Sequence, residues 1–514
     1  MTLSLSLFED DLRSIVRVYP HSTAIIDSLT GKEWSYLELD LLLNKCGVWL
    51  ALNGVRRNGA VVNIMPNCVE CIVIFLSCLR FGISYAPLPF DAKDLDIKKM
   101  RSLISPALTI TVFENNVVQE STIQSNLVKI TNDGSFSWLY GTSMQEQSIA
   151  EHAGGAKVYL MTSGTTGKPK LMVIDSDTLW CSAKYFMKFH SQVTRKDRFI
   201  NIMPMSYLGG LYNLCLIPIS VGASIVIAEP LSGLGLIKFW KDVSRYKVTI
   251  LWLVPTLIRA LVLLATERNF KTDLQDLRKF AFLGTAPITP ELKREFEVLF
   301  GIRLIENYAL SETTFISSEQ FEITSGKKTG VGEILPYVNI TFRENTNKNE
   351  FKEIGVKTPF LFDGYLDESG KLSPPQLEGG FFFTGDIGNI EDKILQIKGR
   401  VKDIIKKAGV LIILSEIEAI LLDHPKISQV ATIGIAHHYY GEDYIVFCQL
   451  KDKSNLTSKT EILEYLYDRI IRAKWPLDLL LIETIPYTKS GKIRKGELEN
   501  LYKKSEKKDN QNIL

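Results

Sequence analysis

Short runs of β-branched residues alternate with stretches of helical spacing through the first part of this chain, and this alternation restricts the fold more than any other feature. Runs typical of strands occupy residues 60–65, 224–228, 249–254 and 279–283. Stretches typical of helices include residues 36–52 and 291–300. Strands that alternate with helices form βαβ units, whose helices cover largely parallel sheets. We therefore predict an α/β fold of parallel or mixed sheets with helices.

The character of the sequence changes near residue 330. Short strands separated by polar turns are predicted at residues 332–342, 352–356, 382–387 and 394–397, which indicates a small β-rich subdomain. From residue 401 onward the pattern is α+β, with a strand pair and then a helix at 415–422, strands at 429–435 and 445–450, a helix at 459–471 and a terminal helix. The charged and polar end of the chain, from Tyr502, is predicted to be frayed.

Composition excludes several classes of protein. Hydrophobic residues make up 46% and charged residues 23% of the 514 residues, as in ordinary globular proteins, and this length suits two to four domains at roughly 150 residues each. The formal net charge of +2 gives no basic excess that would indicate nucleic acid as a partner. Seven cysteines are too few for a disulfide scaffold and fit a reducing cytosol, and the acidic residues near the start argue against a signal peptide.

Two features have an alternative structural reading. Residues 208–228 are long and apolar enough for a membrane span, but Asn213, Pro218 and Gly222 and a β-branched second half favour a buried helix, turn and strand. Cys68 and Cys71 form a CxxC pair with no second ligand pair. They lie in an apolar helical pattern with Cys78, so we predict core cysteines.

A loop rich in glycine and hydroxyl residues follows a strand-like run at residues 157–161. Glycines allow backbone N–H groups to converge on an anion, and hydroxyls and lysines add donors and charge. The loop contains Thr162, Ser163, Gly164, Thr165, Thr166 and Gly167, followed by Lys168, Pro169 and Lys170. A Walker A motif is excluded because Pro169 follows Gly167-Lys168. Taken alone, the loop is either a phosphate-binding loop or a surface hairpin.

Four further motifs follow this loop in order. They are Asn307-Tyr308-Ala309-Leu310-Ser311-Glu312-Thr313, Phe383-Thr384-Gly385-Asp386, the stretch 398–406 with 415–418, and the stretch 486–494. Together with the loop, they resemble the motifs of the adenylate-forming superfamily, which includes acyl- and aryl-CoA synthetases, adenylation domains of nonribosomal peptide synthetases, and luciferases. The motifs span nearly the whole chain.

The resemblance implies a reaction in two halves. A carboxylate attacks the α-phosphorus of ATP with Mg²⁺ present, giving acyl-AMP and pyrophosphate, and a thiol then displaces AMP to give a thioester. It also implies a large N-terminal domain, residues 1–399, which binds the nucleotide and the acid, and a small mobile α+β domain, residues 400–514, that turns about a hinge near Lys402.

The resemblance also implies roles for individual residues in binding the nucleotide. Residues 162–167 would hold the β- and γ-phosphates, with Lys170 near the leaving pyrophosphate. Glu312 would bind Mg²⁺ and Ser311 would donate to the α-phosphate. Asn307, Tyr308, Thr285 and Ala286 would surround the adenine. Asp386 would accept hydrogen bonds from the ribose hydroxyls, because a carboxylate has two oxygens with about four lone-pair sites.

Further roles concern the catalytic groups and the thiol. Arg400 would add charged donors beside Asp386, and Lys492 would bridge the substrate carboxylate and the α-phosphate. Gly409 would border the tunnel for the thiol, because small residues leave room for a pantetheine arm, although a plain β-turn glycine is an equal alternative.

The identity of the acid is constrained less. Tyr207, Gly284 and Ala309 fall at positions that line the acid pocket in the superfamily. Tyr207 departs from the superfamily pattern, in which His is frequent. Leu208 stands where relatives that activate amino acids carry an Asp, and a buried ammonium without a partner is costly, so an α-amino acid is disfavoured. We expect an aryl or medium-sized apolar acid.

Three functional alternatives stay open at this point. The acceptor thiol is either coenzyme A, for whose phosphates Arg472, Lys474 and Lys489 are candidate contacts, or the phosphopantetheine of a carrier protein. The third alternative is a nucleotide-binding protein without catalytic activity. A luciferase-like oxidase is chemically adjacent, and no single residue excludes or supports it.

Overall fold

The computed structural model describes residues 8–112, 127–130, 155–162, 170–230, 234–268, 276–278, 280–284, 286–321, 330–344, 352–451, 457–487 and 493–511. Its α-helices are Phe8–Val18, Tyr36–Leu52, Val69–Arg80, Asp94–Ile104, Ser176–Phe189, Ile217–Ser220, Leu234–Arg245, Pro255–Arg268, Pro290–Phe300, Leu414–Leu422, Lys459–Tyr467 and Lys495–Gln511. A π-helix covers Gly209–Leu216, and 3₁₀ turns cover Val401–Asp403 and Arg472–Lys474.

The first two sheets are built mainly from the N-terminal half. One has four strands in the order Glu33–Ser35, Thr23–Asp27, Ser224–Ile227 and Arg198–Asn201. The other has eight strands in the order Leu372–Ser373, Gly364–Leu366, Lys170–Asp175, Lys157–Thr162, Ser84–Pro87, Ala60–Ile64, Leu108–Val112 and Leu127–Ile130. Pairing is parallel from Lys157–Thr162 through Leu127–Ile130 and antiparallel at the other end. The predicted α/β fold with mixed sheets is confirmed.

The third sheet combines a parallel part with the β-rich subdomain. Its strands run in the order Leu251–Leu253, Phe280–Leu283, Arg303–Leu310, Thr314–Ser318, Glu333–Ile334, Ile394–Arg400, Phe381–Glu391, Lys352–Lys357 and Asn339–Glu344, with Leu377–Glu378 paired to Phe381–Glu391. The first three strands pair in parallel and the later ones antiparallel. Antiparallel pairing begins before residue 330, between strands Arg303–Leu310 and Thr314–Ser318, and continues through the β-rich subdomain, because antiparallel strands need only short turns between them.

The segment 208–228 forms the predicted buried helix, turn and strand. Asn201 Nδ2 donates to Gly210 O at 2.9 Å, and so provides a partner for a carbonyl of the π-helix. A Cβ at Gly210 would lie 2.5 Å from Met203 O, so the close approach of backbone to backbone requires glycine there. The π-helical winding was not predicted, since apolar spacing does not distinguish π from α. Nowhere in the described residues does a helix combine the length and apolarity that crossing a membrane requires.

The predicted core cysteines are confirmed for two of the three positions. Cys71 and Cys78 are buried in the main hydrophobic core. Cys68 is the N-cap residue of the helix Val69–Arg80 and stays partly exposed.

The C-terminal part has its own sheet and its own cores. Its strands run in the order Val410–Ile413, Ile404–Lys407, Gly441–Leu450 and Ile427–His437, with Asp478–Leu481 added beside Gly441–Leu450. The predicted helix 459–471 ends earlier, at Tyr467. The predicted fraying from Tyr502 is wrong for residues 502–511, which belong to the helix Lys495–Gln511. This helix is anchored because Leu498 and Tyr502 pack in an apolar cluster with Ile485.

The two parts of the chain meet next to the predicted boundary at residue 399. Ile387 packs against Ile404 and Ile413, and Ser415 Oγ donates to Lys398 O at 3.0 Å. The strand Ile394–Arg400 runs through the boundary, and the turn Val401–Asp403 follows it directly. The division into residues 1–399 and 400–514 stays a prediction.

Candidate functional site

A buried carboxylate joins three of the predicted motifs. Asp386 is 2% exposed and faces Arg400 across the hairpin of strands Phe381–Glu391 and Ile394–Arg400. Its carboxylate accepts hydrogen bonds from Tyr308 OH and from Arg400 Nε, each at 2.6 Å. Burial and the neighbouring carboxylate raise the pKa of Tyr308 well above its usual value, so the phenol stays a donor. The arrangement holds a fixed acceptor that can take up further hydroxyl donors.

A second cluster joins three segments that are far apart in the sequence. Glu312 lies in the turn between strands Arg303–Leu310 and Thr314–Ser318, and Phe362 N donates to Glu312 O at 2.8 Å. Tyr365 OH donates a short hydrogen bond to Glu312 Oε1. The ammonium of Lys170 lies 5.2 Å from the centre of the Tyr365 ring. A carboxylate, a phenol and an ammonium thus meet where the phosphates are expected.

Tyr365 was not identified from the sequence. Burial, and then the charge of Glu312, raise its pKa above the usual value, which keeps the hydroxyl protonated. The glycine before it, Gly364, is a sequence feature that could have drawn attention to this position. Gly364 has φ +144°, and a Cβ there would lie 2.1 Å from Ser373 O, so only glycine fits beside this tyrosine.

The donor set at Glu312 is suited to Mg²⁺. No group of three or more candidate metal ligands occurs within the described residues. Mg²⁺ needs no such group, because it usually binds one or two carboxylates together with substrate phosphates and water. A single carboxylate beside Lys170 fits that mode of binding.

Asn307, which was predicted to bind adenine, lies against Gly284, which was predicted to line the acid pocket. A Cβ at Gly284 would lie 2.6 Å from Asn307 Oδ1, so a larger residue there would displace the amide. Asn307 is 8% exposed, and its Nδ2 has no hydrogen-bond partner in the part of the chain that the structure describes. A buried amide donor without a partner is costly unless a ligand accepts from it. Ala286 lies two residues after Gly284 in the sequence, and Ala309 lies on the strand Arg303–Leu310.

The segment that carries Tyr207 is held by a residue that was not predicted. Asn67 Nδ2 donates to Met203 O at 2.8 Å, and Asn67 Oδ1 accepts from Met205 N at 3.0 Å. Tyr207 is partly buried, and burial followed by the charge of Asp91 raises its pKa. The positive charge of Arg494, from the last motif, opposes this rise in the pKa of Tyr207. Arg494 therefore lies close enough to Tyr207 for its charge to act on the phenol.

Several predicted residues lie outside the described residues, namely Ser163, Gly164, Thr165, Thr166, Gly167, Thr285, Lys489 and Lys492. The backbone on either side of the phosphate loop is described, and Thr162 pairs with Lys170 in an antiparallel hairpin. The ends of the loop are thereby held beside the Glu312 cluster. Ser311 lies in the same turn as Glu312.

The predicted hinge and thiol residues lie on the C-terminal side. Lys402 is the middle residue of the turn Val401–Asp403. Gly409 has φ +88° in the turn between strands Ile404–Lys407 and Val410–Ile413, with nothing within 4 Å of an added Cβ. The positive φ accounts for the glycine by turn geometry, so its role in the thiol tunnel stays a prediction.

Comparison with known proteins gives matches over nearly the whole chain. A family model described as AMP-binding enzyme matches residues 12–366, and one described as AMP-binding enzyme C-terminal domain matches residues 416–492. An oxalate–CoA ligase of Arabidopsis thaliana is 26% identical over 509 residues, covering 94% of this chain and 96% of the relative. The long-chain-fatty-acid–CoA ligase FadD13 of Mycobacterium tuberculosis is 26% identical over 514 residues, covering 96% and 97%.

Solved structures agree at the level of the fold. ATP-bound MatB from Rhodopseudomonas palustris superposes with a TM-score of 0.83 at 23% identity, covering 96% of this chain and 99% of that structure. The anthranilate CoA ligase AuaEII in complex with anthranoyl-AMP superposes with a TM-score of 0.82 at 19% identity, covering 98% of both chains.

Proposed function

Because this chain belongs to the AMP-binding enzyme family, we propose that it is an acid–thiol ligase that forms an acyl-adenylate from ATP and a carboxylic acid and transfers the acyl group to coenzyme A. Matches to CoA ligases along more than nine-tenths of the chain support this assignment. The observation that carries the proposal is the clustering of Lys170, Glu312 and Tyr365, because an ammonium, a carboxylate and a phenol from distant segments of the chain come close together there.

The proposed adenylation step depends on charge placed around the phosphates. The acid's carboxylate attacks the α-phosphorus and pyrophosphate leaves, so negative charge develops on the phosphate oxygens. Lys170 would face the leaving group, and Lys492 would face the attacking carboxylate. Mg²⁺ held by Glu312, when bound, supplies positive charge to the phosphates. Asp386, fixed by Tyr308 and Arg400, would orient the nucleotide through the ribose.

The second step requires a different set of residues. Once AMP is the leaving group, the thiol must reach the acyl carbon. A rotation of the C-terminal part about Lys402 would remove the motif 486–494 from the acid pocket and bring Gly409 close to that pocket. Coenzyme A is the proposed acceptor because the relatives reported above are named CoA ligases. Loading of a carrier-protein phosphopantetheine is the competing outcome. The acid is proposed to be aryl or medium-sized and apolar, and the location to be the cytoplasm.

Pyrophosphate exchange with a panel of acids tests this proposal. The panel contains aryl, medium-chain, dicarboxylic and α-amino acids, and hydroxylamine trapping gives an independent readout of the acyl-adenylate. We expect exchange with at least one aryl or medium-chain acid. Acids that exchange are then tested with coenzyme A and with holo-carrier proteins, and transfer to a carrier alone would replace the proposed acceptor. Absence of exchange with every acid would contradict the proposal and favour a non-catalytic nucleotide-binding protein.

Replacing Lys402 with proline is expected to slow thioester formation about tenfold while changing adenylation much less. Proline fixes φ and restricts the preceding residue, so the turn Val401–Asp403 loses the freedom that rotation needs. The two half-reactions are measured separately, by pyrophosphate exchange and by transfer from preformed acyl-AMP. Lys402→Ala removes the side chain without fixing the backbone and is the matched control. Equal losses in both half-reactions would argue against a hinge at this residue.

Replacing Tyr365 with phenylalanine is expected to raise the Mg²⁺ concentration that half-saturates adenylation about tenfold. The hydroxyl donates to Glu312, and hydrogen bonds to charged groups contribute about 1.5–3 kcal/mol. Without that donor the carboxylate is free to leave its position. The measurement is a Mg²⁺ titration of equilibrium ATP binding by calorimetry, alongside pyrophosphate exchange. Tyr159→Phe, on the strand Lys157–Thr162 of the same sheet, is the control. An unchanged Mg²⁺ dependence would remove Tyr365 from the site.

A further inference from the structure

Three buried hydroxyl groups are hydrogen-bonded in series behind the turn that carries Glu312. Ser182, on the helix Ser176–Phe189, donates from Oγ to Thr314 Oγ1 at 2.7 Å. The same serine oxygen lies 2.6 Å from Tyr212 OH. A hydroxyl has a single hydrogen to donate, so Tyr212 donates to Ser182 and Ser182 donates to Thr314. We call Tyr212, Ser182 and Thr314 the hydroxyl chain.

The hydroxyl chain lies in the interior of the protein. None of its three residues is more than 2% exposed, and burial raises the pKa of Tyr212, so the phenol keeps its proton. Aromatic rings pack beside it, since Phe315 stacks on Phe186 with ring centroids 3.9 Å apart and lies 5.7 Å from the ring of Tyr212. A buried hydroxyl that loses its partner is costly, so each group of the chain holds the next in place.

Two of the three residues have unusual backbone conformations. Tyr212 belongs to the π-helix Gly209–Leu216, and its carbonyl accepts from the N–H of Ile217, five residues later. Thr314 has φ +57°, in the left-handed region that β-branched residues rarely adopt. Such conformations persist only where surrounding contacts impose them, and they concentrate at functional sites. Ser182 makes the side-chain contact that holds Thr314.

Thr314 stands at the end of the turn that contains Glu312. Leu310 pairs with Thr314 across the hairpin, and the three residues between them form the turn. The backbone of Thr314 therefore helps to set the direction of the Glu312 side chain. On the other side of the turn, Phe362 N and Tyr365 OH donate to Glu312, as described above. The turn is thus held from the interior by hydroxyl groups and from the edge of the sheet by the strand that carries Tyr365.

We propose that Tyr212 and Thr314 are positioning residues for Mg²⁺ binding: the hydroxyl chain keeps Thr314 in its left-handed conformation and so directs the Glu312 carboxylate at the metal and the phosphates. This inference rests on the proposed binding of Mg²⁺ by Glu312. The hydroxyl chain itself touches neither the nucleotide nor the acid in this scheme. The π-helix then has a function, because its winding places the hydroxyl of Tyr212 against Ser182.

Tyr212→Phe and Thr314→Val each remove one hydroxyl and keep the bulk of the side chain. In either variant the Mg²⁺ concentration that half-saturates ATP binding is expected to rise about fivefold, a change within the range of a single hydrogen bond. The measurement is calorimetry with ATP at a series of Mg²⁺ concentrations. The affinity for ATP without Mg²⁺ is expected to stay at the wild-type value, because only the position of Glu312 has changed.

Thr314→Gly separates the backbone conformation from the packing of the side chain. Glycine adopts positive φ without a steric penalty, so the turn no longer depends on the hydroxyl chain. This variant loses the whole side chain and is nevertheless expected to show nearly the wild-type Mg²⁺ dependence. Combined with Tyr212→Phe, it is expected to restore most of the Mg²⁺ dependence that Tyr212→Phe alone has lost.

Tyr36→Phe is the matched control for the loss of a buried tyrosine hydroxyl. Tyr36 is fully buried, and its OH donates to Ala223 O at 2.8 Å, away from the turn with Glu312. We expect this variant to lower the midpoint of denaturant unfolding and to leave the Mg²⁺ dependence of ATP binding unchanged. An equal rise in Tyr36→Phe and Tyr212→Phe would show that general destabilisation is the cause, and would overturn the proposal.

The remaining outcomes separate this inference from the proposed function. An unchanged Mg²⁺ dependence in both Tyr212→Phe and Thr314→Val, or a defect in Thr314→Gly as large as that in Thr314→Val, would overturn the inference. If Glu312→Gln also leaves the Mg²⁺ dependence unchanged, the proposed metal ligand has failed and the inference with it. If Glu312→Gln alone raises the Mg²⁺ requirement, the error lies in the hydroxyl chain. Absence of pyrophosphate exchange by the wild type would instead contradict the proposed ligase, and ATP binding, which needs no acid, would still test the hydroxyl chain.

Discussion

Replacing Lys492 with alanine is expected to lower the rate of acyl-adenylate formation by about 10²–10³-fold, the usual cost of removing one positioned donor from a developing oxyanion. Lys492 lies outside the described residues, but Arg494, two residues later, lies within electrostatic range of Tyr207 at the predicted acid pocket. The role proposed for Lys492, contact of its ammonium with the attacking carboxylate, rests on the motif 486–494 in the sequence. The measurement is pyrophosphate exchange at saturating acid and ATP.

Thiolation separates a catalytic role of Lys492 from a structural one. Transfer from chemically prepared acyl-AMP to coenzyme A is expected to proceed at nearly the wild-type rate, because the motif 486–494 would have left the site for that step. Lys503→Ala, an exposed lysine of the terminal helix, is the matched control and is expected to leave both half-reactions unchanged. Exchange at the wild-type rate in Lys492→Ala would contradict the assignment, and a parallel loss in both half-reactions would indicate structural damage instead.

The sequence allowed the elements and the motif positions to be predicted because both depend on local patterns. Apolar spacing predicts the helix Tyr36–Leu52, whose start is fixed by Ser35 and Glu38 in a reciprocal capping box. The same spacing could not distinguish the π-helix Gly209–Leu216 from an α-helix, because its winding depends on partners far away in the sequence, such as Asn201. The terminal helix was predicted, but its extent past Tyr502 was not, because a few packed residues, among them Leu498, anchor a largely polar segment.

The sequence motifs predict individual site residues, but they do not predict the contacts between those residues and the rest of the chain. Asp386 and Arg400 are 14 residues apart, and their pairing follows from a predicted hairpin. Tyr365 contacts Glu312 only because strand Gly364–Leu366 joins the edge of a sheet begun much earlier in the chain, and no local pattern indicates that pairing. Asn67 is similar, since it holds a segment 136 residues away through one amide. Such residues position the groups that the motifs supply.

Replacing Asp386 with alanine is expected to weaken ATP binding about 100-fold and to lower the free energy of unfolding by about 2–3 kcal/mol. The carboxylate is buried and accepts from both Tyr308 and Arg400, so its removal leaves a buried phenol and a guanidinium without their acceptor. Calorimetry with ATP measures the first effect and denaturant unfolding the second. Asp386→Asn keeps an acceptor of the same shape and is expected to lose less of both.

A nucleotide without ribose hydroxyls tells the binding role of Asp386 apart from its structural role. Wild-type protein is expected to bind 2′,3′-dideoxy-ATP much more weakly than ATP, because a carboxylate can accept from both hydroxyls at once. In Asp386→Ala the two nucleotides are expected to bind equally, since the carboxylate that accepts from the ribose hydroxyls has been removed. A variant that still preferred ATP to 2′,3′-dideoxy-ATP by the wild-type factor would show that another residue binds the ribose hydroxyls. In that case the hydrogen bonds from Tyr308 and Arg400 would serve only to join the three strands that carry these residues and Asp386.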